Sequence, residues 1–317
     1  MPGHHAPVMA TEVVEKLLHL PDGTYIDATF GRGGHSRALL SGMSATARLI
    51  GIDRDQDAHA AGVLLGQADD RFDIVRGRFS EIKVLAAQIG ITAVEGVLMD
   101  IGVSSPQLDD PSRGFSFRAD GPLDMRMDQS QALSAAEWLN SAERDEIAQV
   151  LREHGEERFA GRIATQIVRQ RPIATTTELA EIIAAAVPPP KRRTKGQLST
   201  KHPATKSFQA IRIFVNQERS ELELGLDAAW SLLSAGGRLG IITFHSLEDR
   251  VVKQRFKQLS EPPQLPRRLP VRAIDAQPEG RLVGKAMRAG AKEVSNNPRA
   301  RSAMFRVIEK LAGSDGG

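Results

Sequence analysis

Over its first hundred residues the chain alternates short apolar runs, bounded by Gly and Asp, with longer segments of helical period. The alternation predicts helix 9–19, strand 24–29 (TYIDAT), helix 34–42, strand 48–53 (RLIGID), helix 56–66, strand 72–76 (FDIVR), helix 80–88 and strand 95–100 (EGVLMD). Strands separated by helices in this way pair in parallel, because each helix carries the chain back to the same end of the sheet. The expected fold is therefore α/β, a doubly wound, Rossmann-like sheet whose ligands gather at the carboxyl ends of its strands.

The pattern stops at Asp100. The stretch IGVSSPQLDDPSRGFSFRADGPLDMRMD is rich in Gly, Pro, Asp and Ser without a sustained period, which predicts a long, structured loop. From Leu133 to Val187 every segment reads as helix: SAAEWLNS, ERDEIAQVLREH closed by Gly155, EERFAGRIATQIVRQ stopped by Pro172, and TTTELAEIIAAAV stopped by three prolines. Thr175 and Glu178 have capping-box spacing for the last of these. The α/β alternation then resumes with a long helix near 207–234, a strand at 238–244 (RLGIITF) and a helix at 247–258. An all-α insert, 109–207, thus interrupts one α/β domain built from 1–108 and 208–317. The segment 261–278, rich in Pro and Arg, is expected to be irregular. Strand-like runs near 281–287 and 302–309 are expected to close the sheet as a hairpin.

Composition narrows the classes. At 317 residues and 41% apolar content the chain can fill at least one sizeable core. It has no Cys, which excludes disulfide scaffolds, thiolate metal sites and Cys nucleophiles and fits a reducing compartment, so a cytoplasmic location is expected. The opening MPGHHAPVMATEVVEKLLHL has no uninterrupted apolar run, and neither secretion nor a membrane span is expected. Formal net charge is only +3, but Lys and Arg are unevenly spread, so local basic patches carry more meaning than the total.

Gly31, Gly33 and Gly34 follow the first strand, where bare backbone and a helix N-terminus can face a ligand. Asp53 closes the next strand 22 residues after Gly31, the place where an acidic side chain accepts hydrogen bonds from ribose hydroxyls. Together they point to a nucleoside; the plainer alternatives are a ligand-free turn and an Asp53 that caps a helix. A dinucleotide-binding oxidoreductase would want a third Gly where Ser36 stands, which disfavours nicotinamide. S-adenosylmethionine has no pyrophosphate, only a zwitterionic methionine end, and suits the looser turn opened by Asp27. At the ends of the third and fourth strands, Phe79 is placed to stack on a purine and Asp100 to accept from an adenine amino group; a core ring and a loop cap are the alternatives.

Asp100 also begins DIGVSSPQL, which partly matches the (Asp/Asn/Ser)-Pro-Pro-aromatic loop of amino-group methyltransferases. An exocyclic base amine is a poor nucleophile because its lone pair is delocalised into the ring. Oxygens near Ser104, Ser105 and Pro106 are candidates to pull on its hydrogens and aim the nitrogen at a methyl sulfonium. Over nearly its whole length the chain resembles the bacterial small-subunit ribosomal RNA (cytosine-N4) methyltransferase family, RsmH or MraW. The stretches that carry the resemblance are HAPVMATEVVEKL, DATFGRGGHSRALL, IGIDRD, MDIGVSSPQLDDPSRGFSFRADGPLDMRMD, HPATKSFQAIRIFVNQE, GGRLGIITFHSLEDRVVK and NNPRARSAMFRVIEK. It implies a class I S-adenosylmethionine methyltransferase domain with cofactor contacts at Gly33, Gly34, His35, Asp53, Phe79, Asp100 and Gln107. It further implies methylation of the N4 amine of one cytidine in the decoding region of 16S rRNA, within the small ribosomal subunit or its late precursor. SSPQ departs from the broader loop in lacking the second Pro and carrying Gln107 where an aromatic would hold the base, so Phe115 and Phe117 are the candidates to stack it. Methylation of another RNA, and a non-catalytic RNA-binding or ribosome-assembly role that retains the cofactor, are the alternatives; a homodimer is left open.

For RNA, the run from Pro188 to Ser207 carries Lys191, Arg192, Arg193, Lys195, Lys201 and Lys206 with no acidic residue, which reads as phosphate contact or as a solvated basic loop. Arg113, Arg118 and Arg126 interleave with Phe115 and Phe117, either to splay and stack a single-stranded base or to anchor the loop on the insert. Arg267, Arg268, Arg272, Arg281, Lys285 and Arg288 form a second basic cluster. FHSLED follows the strand at 238–244, so His245 and Glu248 are expected at the same sheet edge, His245 as an orienting residue or weak base. Ser246 and Asp249 have the N-cap and N3 spacing of a helix start. His4, His5 and His202 lack ligand-like spacing, and no metal is expected.

Overall fold

A computed structural model describes residues 7–188, 202–262 and 277–313. The chain divides into two compact units, Met1–Gly102 with Arg219–Gly317, and Val103–Glu218. The first unit opens with α1 (Ala10–Leu17), β1 (Thr24–Asp27), α2 (Gly34–Gly42), β2 (Arg48–Asp53), α3 (Gln56–Ala68) and β3 (Phe72–Arg76). A 3-10 turn at Phe79–Glu81 then leads into α4 (Ile82–Gln88) and β4 (Val94–Asp100). The second unit holds α5 (Ser105–Asp109), α6 (Ala135–Ser141), α7 (Arg144–Gly155), α8 (Ala160–Arg169), α9 (Thr176–Ala186) and α10 (Thr205–Val215). The first unit resumes through α11 (Glu218–Leu232), β5 (Leu233–Thr243), α12 (Ser246–Ser260), β6 (Gly280–Leu282), β7 (Met287–Arg288), α13 (Ala291–Asn296) and β8 (Met304–Lys310).

The sheet runs β3-β2-β1-β4-β5-β8-β6, with β7 also on β8. β1 to β5 are parallel, and β8 is antiparallel to β5, β6 and β7. Strand order reverses between β1 and β4, which fixes the crevice for a ligand at their carboxyl ends. The strands read as continuous apolar runs because both faces are covered. Ile26, Ile50, Val97 and Ile241 enter one buried layer with Trp230 and Phe256, while their neighbours Tyr25, Leu49, Leu98 and Ile242 enter the other with Leu17 and Phe305.

Where the fold departs from the sequence expectation, side-chain hydrogen bonds or packing are the reason. The helix expected near 207–234 is two, broken at Asn216–Gln217, with Gln217 at φ 53. Apolar spacing continues in phase across the break, but the fully buried Asn216 donates through Nδ2 to the carbonyls of Arg212 and Met125 and accepts the Met127 N–H at Oδ1. α7 is not closed by Gly155; it includes that residue and ends on Glu156, at φ 47. Gly155 is needed for close approach instead, since an added Cβ would lie 2.8 Å from the carbonyl oxygen of Lys206 at the start of α10. The loop expected after Asp100 contains α5, and β5 begins at Leu233 rather than 238. The terminal runs pair antiparallel as expected, but α13 intervenes between them and β8 lies between β5 and β6.

The joints between units fall at 102/103 and 218/219, not at 108/109 and 207/208. Val103 and Leu108 pack on the helical core, and α10 gives Phe208, Ile211 and Val215 to it. The Thr175–Glu178 capping box starts α9 as its spacing predicts. No helix among the described residues is long and apolar enough to cross a membrane.

Candidate cofactor and catalytic site

Three strands adjacent in the sheet, β2, β1 and β4, each end in an aspartate: Asp53, Asp27 and Asp100. After β1 the chain turns through Gly31 at φ 57 and Gly33 at φ 73, left-handed conformations that favour glycine. The Gly33 N–H donates to the Phe30 carbonyl at 2.8 Å, and Gly33 is the N-cap of α2. A Cβ on Gly33 would lie 2.7 Å from the Phe30 ring, and one on Gly34 2.9 Å from Pro7, so the backbone here is bare by necessity.

Asp53 faces that turn. Its Oδ2 accepts the Gly31 N–H at 2.8 Å and its Oδ1 the Asp55 N–H at 2.9 Å, which aims the carboxylate and leaves each oxygen a further lone pair. Burial pushes this carboxyl up to about 6, against the pull of the two N–H bonds. Asp53 does not cap α3; Asp55 does, accepting the Asp57 N–H at 2.9 Å. Asp27 is fully buried and raised by that burial, with His35 and Ser36 opposing the rise. Ser36 Oγ donates to Asp27 Oδ2 at 2.7 Å, so the position where a dinucleotide fold would carry glycine is filled by the partner of a buried acid.

His35, 6% exposed, donates from Nε2 to the Val8 carbonyl at 2.8 Å and holds Nδ1 3.6 Å from Asp100 Oδ2. The Asp100 N–H donates to Thr29 Oγ1 at 2.6 Å. Although the Asp100 side chain is a quarter exposed as a whole, its Oδ1 is shielded from water and has no hydrogen-bond partner among the described residues. A buried acceptor left unmade costs about 1–3 kcal/mol, so this oxygen is suited to a donor brought by a ligand. Burial pushes Asp100 up to about 6, with Asp27 and Glu248 adding to the rise and His35 opposing it.

Phe79 opens the 3-10 turn after β3. Its half-buried ring lies on Gly225 of α11, where an added Cβ would sit 2.5 Å from Cδ2. The turn is tied to α11 by Arg78 Nη1 to Glu221 Oε1 at 2.9 Å and Ser80 Oγ to Glu221 Oε2 at 2.7 Å. After β5, the N-cap of α12 is His245, one residue earlier than the Ser246–Asp249 spacing suggests. Nδ1 of His245 accepts the Glu248 N–H, its Nε2 lies 2.7 Å from Glu248 Oε1, and Glu248 Oε2 accepts the N–H of Phe244 at 2.9 Å. Asp249 instead pairs with Arg306 on β8.

The remaining sequence candidates belong to the second unit. Ser104 is the N-cap of α5: its Oγ accepts the Gln107 N–H at 3.5 Å, and Gln107 Oε1 accepts the Ser104 N–H at 2.9 Å. Ser105 and Pro106 form the first turn of that helix. Two base-binding candidates are corrected. Phe115 is 6% exposed within the helical core, and Arg113, equally buried, donates to the carbonyls of Arg126 and Met127, so this part of the loop is an anchor. Phe117 remains half-buried at the edge of that core. Lys206 is exposed, with Nζ 3.1 Å from the Glu156 carbonyl at the end of α7. Arg192, Arg193, Lys195 and Lys201 lie outside the described residues, as do Lys191, Arg267, Arg268 and Arg272. Thr29 and Val8, which position Asp100 and His35, carried no signal of their own in the sequence.

The model of the MraW methylase family matches residues 3–311 of this chain. The chain belongs to the MraW methylase family. Its relatives include proteins called ribosomal RNA small subunit methyltransferase H. The one from Azoarcus sp. is 54% identical over 310 residues, covering 96% of each chain. The one from Chromobacterium violaceum is 52% identical over 312 residues, covering 97% of this chain and 95% of that one. A crystal structure of a putative rRNA-methylase from Clostridium thermocellum aligns over 96% of this chain and 93% of that one, at 10% identity and a TM-score of 0.43. S-adenosylmethionine, the methyl donor of such a methylase, fits the first unit's edge of this MraW-family chain. Bare glycine backbone admits close approach, Asp53 keeps a lone pair on each oxygen for further donors, and Asp100 Oδ1 is a buried acceptor. Three acids near one edge also favour a sulfonium cation electrostatically.

Proposed function

We propose that this protein transfers the methyl group of S-adenosylmethionine to the exocyclic N4 amine of a cytidine in the decoding region of 16S rRNA, acting on the small ribosomal subunit or its late precursor in the cytoplasm. The reading is carried by near-full-length relatives that bear the name ribosomal RNA small subunit methyltransferase H. Geometry supports its cofactor half. Asp53 accepts the ribose hydroxyls, Asp100 the adenine amino group, Phe79 stacks on the purine, and the Gly33–Gly34–His35 turn borders the cofactor.

When bound, the cofactor supplies an electrophilic methyl carbon. The chain's own part is to hold the amine in line with that carbon and to localise its lone pair through acceptors for its hydrogens. Ser104 Oγ accepts one long N–H bond in the α5 cap and keeps a further lone pair, so Ser104 Oγ, Ser105 Oγ and main-chain oxygens of the Ser104–Pro106 segment take that role. His245 Nδ1 already accepts an N–H, which leaves the ring proton on Nε2 and no lone pair for the departing proton. His245 is therefore a positioning residue, and the proton leaves to solvent from a product amine that is acidic once methylated.

The test is incubation of unmethylated 30S particles with labelled S-adenosylmethionine, followed by nucleoside mass analysis. N4-methylated cytidine is the expected product, and Asp100→Ala should abolish it without weakening RNA binding. RNA that stays unlabelled with the wild-type chain refutes the reading; retained RNA binding would then favour an assembly role.

A further inference from the structure

The second unit carries three aromatic rings that run from its core to its surface. Phe208, 4% exposed, meets Phe117 edge-on with centroids 4.7 Å apart at 68°. Phe117, half-buried, meets His202 at 4.7 Å and 41°, and His202 is exposed. The imidazole is held in place: its Nδ1 accepts the Ala204 N–H at 3.2 Å just before α10, so the ring proton sits on Nε2. An oriented, exposed ring backed by a second aromatic suits a planar ligand that stacks.

The sequence leading to the ring pair is cationic. No Asp or Glu occurs between Glu181 and Glu218, whereas Lys191, Arg192, Arg193, Lys195 and Lys201 lead in sequence to His202. Arg118, exposed, follows Phe117. Aromatic faces interleaved with cations bind single-stranded nucleic acid, whose bases stack while the phosphates meet the charge.

We propose that Phe117 and His202 form a platform for an unpaired base of the substrate RNA that flanks the methyl acceptor; this rests on the rRNA reading above. The acceptor cytosine itself is poorly served here. Its amine needs hydrogen-bond acceptors, but Nδ1 of His202 is taken by the Ala204 N–H, so the two rings offer it none. The platform therefore grips the RNA and takes no part in the methyl transfer.

His202→Ala is the test, since His202 is exposed and its loss leaves Phe117 on Phe208. Kd is measured by fluorescence anisotropy with a single-stranded decoding-region RNA, alongside KM and kcat on unmethylated 30S particles. Losing one stacked base should weaken RNA binding and raise KM about 5- to 150-fold, the equivalent of about 1–3 kcal/mol, with kcat and cofactor affinity unchanged. His202→Phe should restore most of the binding. RNA affinity within twofold of wild type in His202→Ala overturns the platform, and so does a His202→Phe variant as weak as the alanine. A wild-type chain that binds RNA through His202 but leaves 30S unmethylated refutes the rRNA methylation reading alone; one that binds no RNA refutes both.

Discussion

Gly33→Ala separates the two demands placed on the glycine turn. Gly33 sits at φ 73 and ψ 25, where an L side chain costs about 1–2 kcal/mol. A Cβ there would also stand 2.7 Å from Cζ and 2.8 Å from Cε2 of Phe30, a ring 3% exposed and packed on Phe72 with centroids 5.2 Å apart. That ring has nowhere to go, and overpacking of this kind costs about 1–3 kcal/mol. The third close atom, Arg37 Nη1 at 2.7 Å, is the end of a flexible exposed side chain and can swing away. The expected total is roughly 2–5 kcal/mol, which lowers Tm by roughly 4–20 °C for a unit of this size. Gly90 provides the control: it has φ 76, is exposed, and an added Cβ would meet none of the described residues within 4 Å. Gly90→Ala should therefore show the backbone cost alone, about 1–2 kcal/mol. Thermal and urea unfolding of both variants read the difference, and Phe30→Leu in each background should recover the clash in Gly33→Ala but not in Gly90→Ala. Equal destabilisation by the two alanines would show that Phe30 does not confine the turn.

Three further outcomes follow from the same geometry. Asp53 and Asp100 both have folded pKa values raised to about 6 from 3.8, so the folded state binds more protons between pH 4 and 6 and these groups lose stability as pH rises through that window, by about 1.4 kcal/mol per unit at most for each. Urea unfolding of Asp53→Asn at pH 4.5 and 7 should show a smaller loss on raising the pH than wild type, and parallel profiles would contradict this. Thr29→Val strands the Asp100 N–H and should cost about 1–3 kcal/mol, with weaker cofactor binding by calorimetry; an unchanged cofactor Kd would mean that Asp100 is not held by Thr29. Asn216→Ala removes three hydrogen bonds from a fully buried site and should destabilise the helical unit by about 3–5 kcal/mol, with fast hydrogen exchange at the Met127 amide, whereas persistent protection there would refute the assignment.

Strand positions were legible wherever one residue type marks a boundary: β2 and β3 fall where RLIGID and FDIVR predict them, because Asp, Gly and Arg punctuate an otherwise apolar run. The glycine turn and its acid were legible for the same reason. Asn216 shows what was not, since an amide that breaks a helix by reaching Met125 and Met127, some ninety positions away, leaves the helical period intact. Gly155 looked like a helix stop and serves instead as a notch for α10. In the site, the partners of the buried polar side chains were hidden because they depend on contacts across the fold: Ser36 on Asp27, Thr29 on Asp100, Val8 on His35. Phe115 and Phe117 are two residues apart with the same chemistry, and only packing separates the anchor from the exposed stack.

The insertion of β8 between β5 and β6 sets an order of events during synthesis. The helical unit is one uninterrupted stretch of chain and can complete its core as soon as Glu218 has emerged, but the sheet waits for Met304–Lys310. Until those seven residues arrive, β5 is an unprotected edge with its full set of outward N–H and carbonyl groups exposed to other nascent chains. A stop codon that removed β8 would therefore cost that end of the sheet more than one strand, since β6 and β7 are held only through β8 among the described strands. Such a product should fold its helices and aggregate through β5.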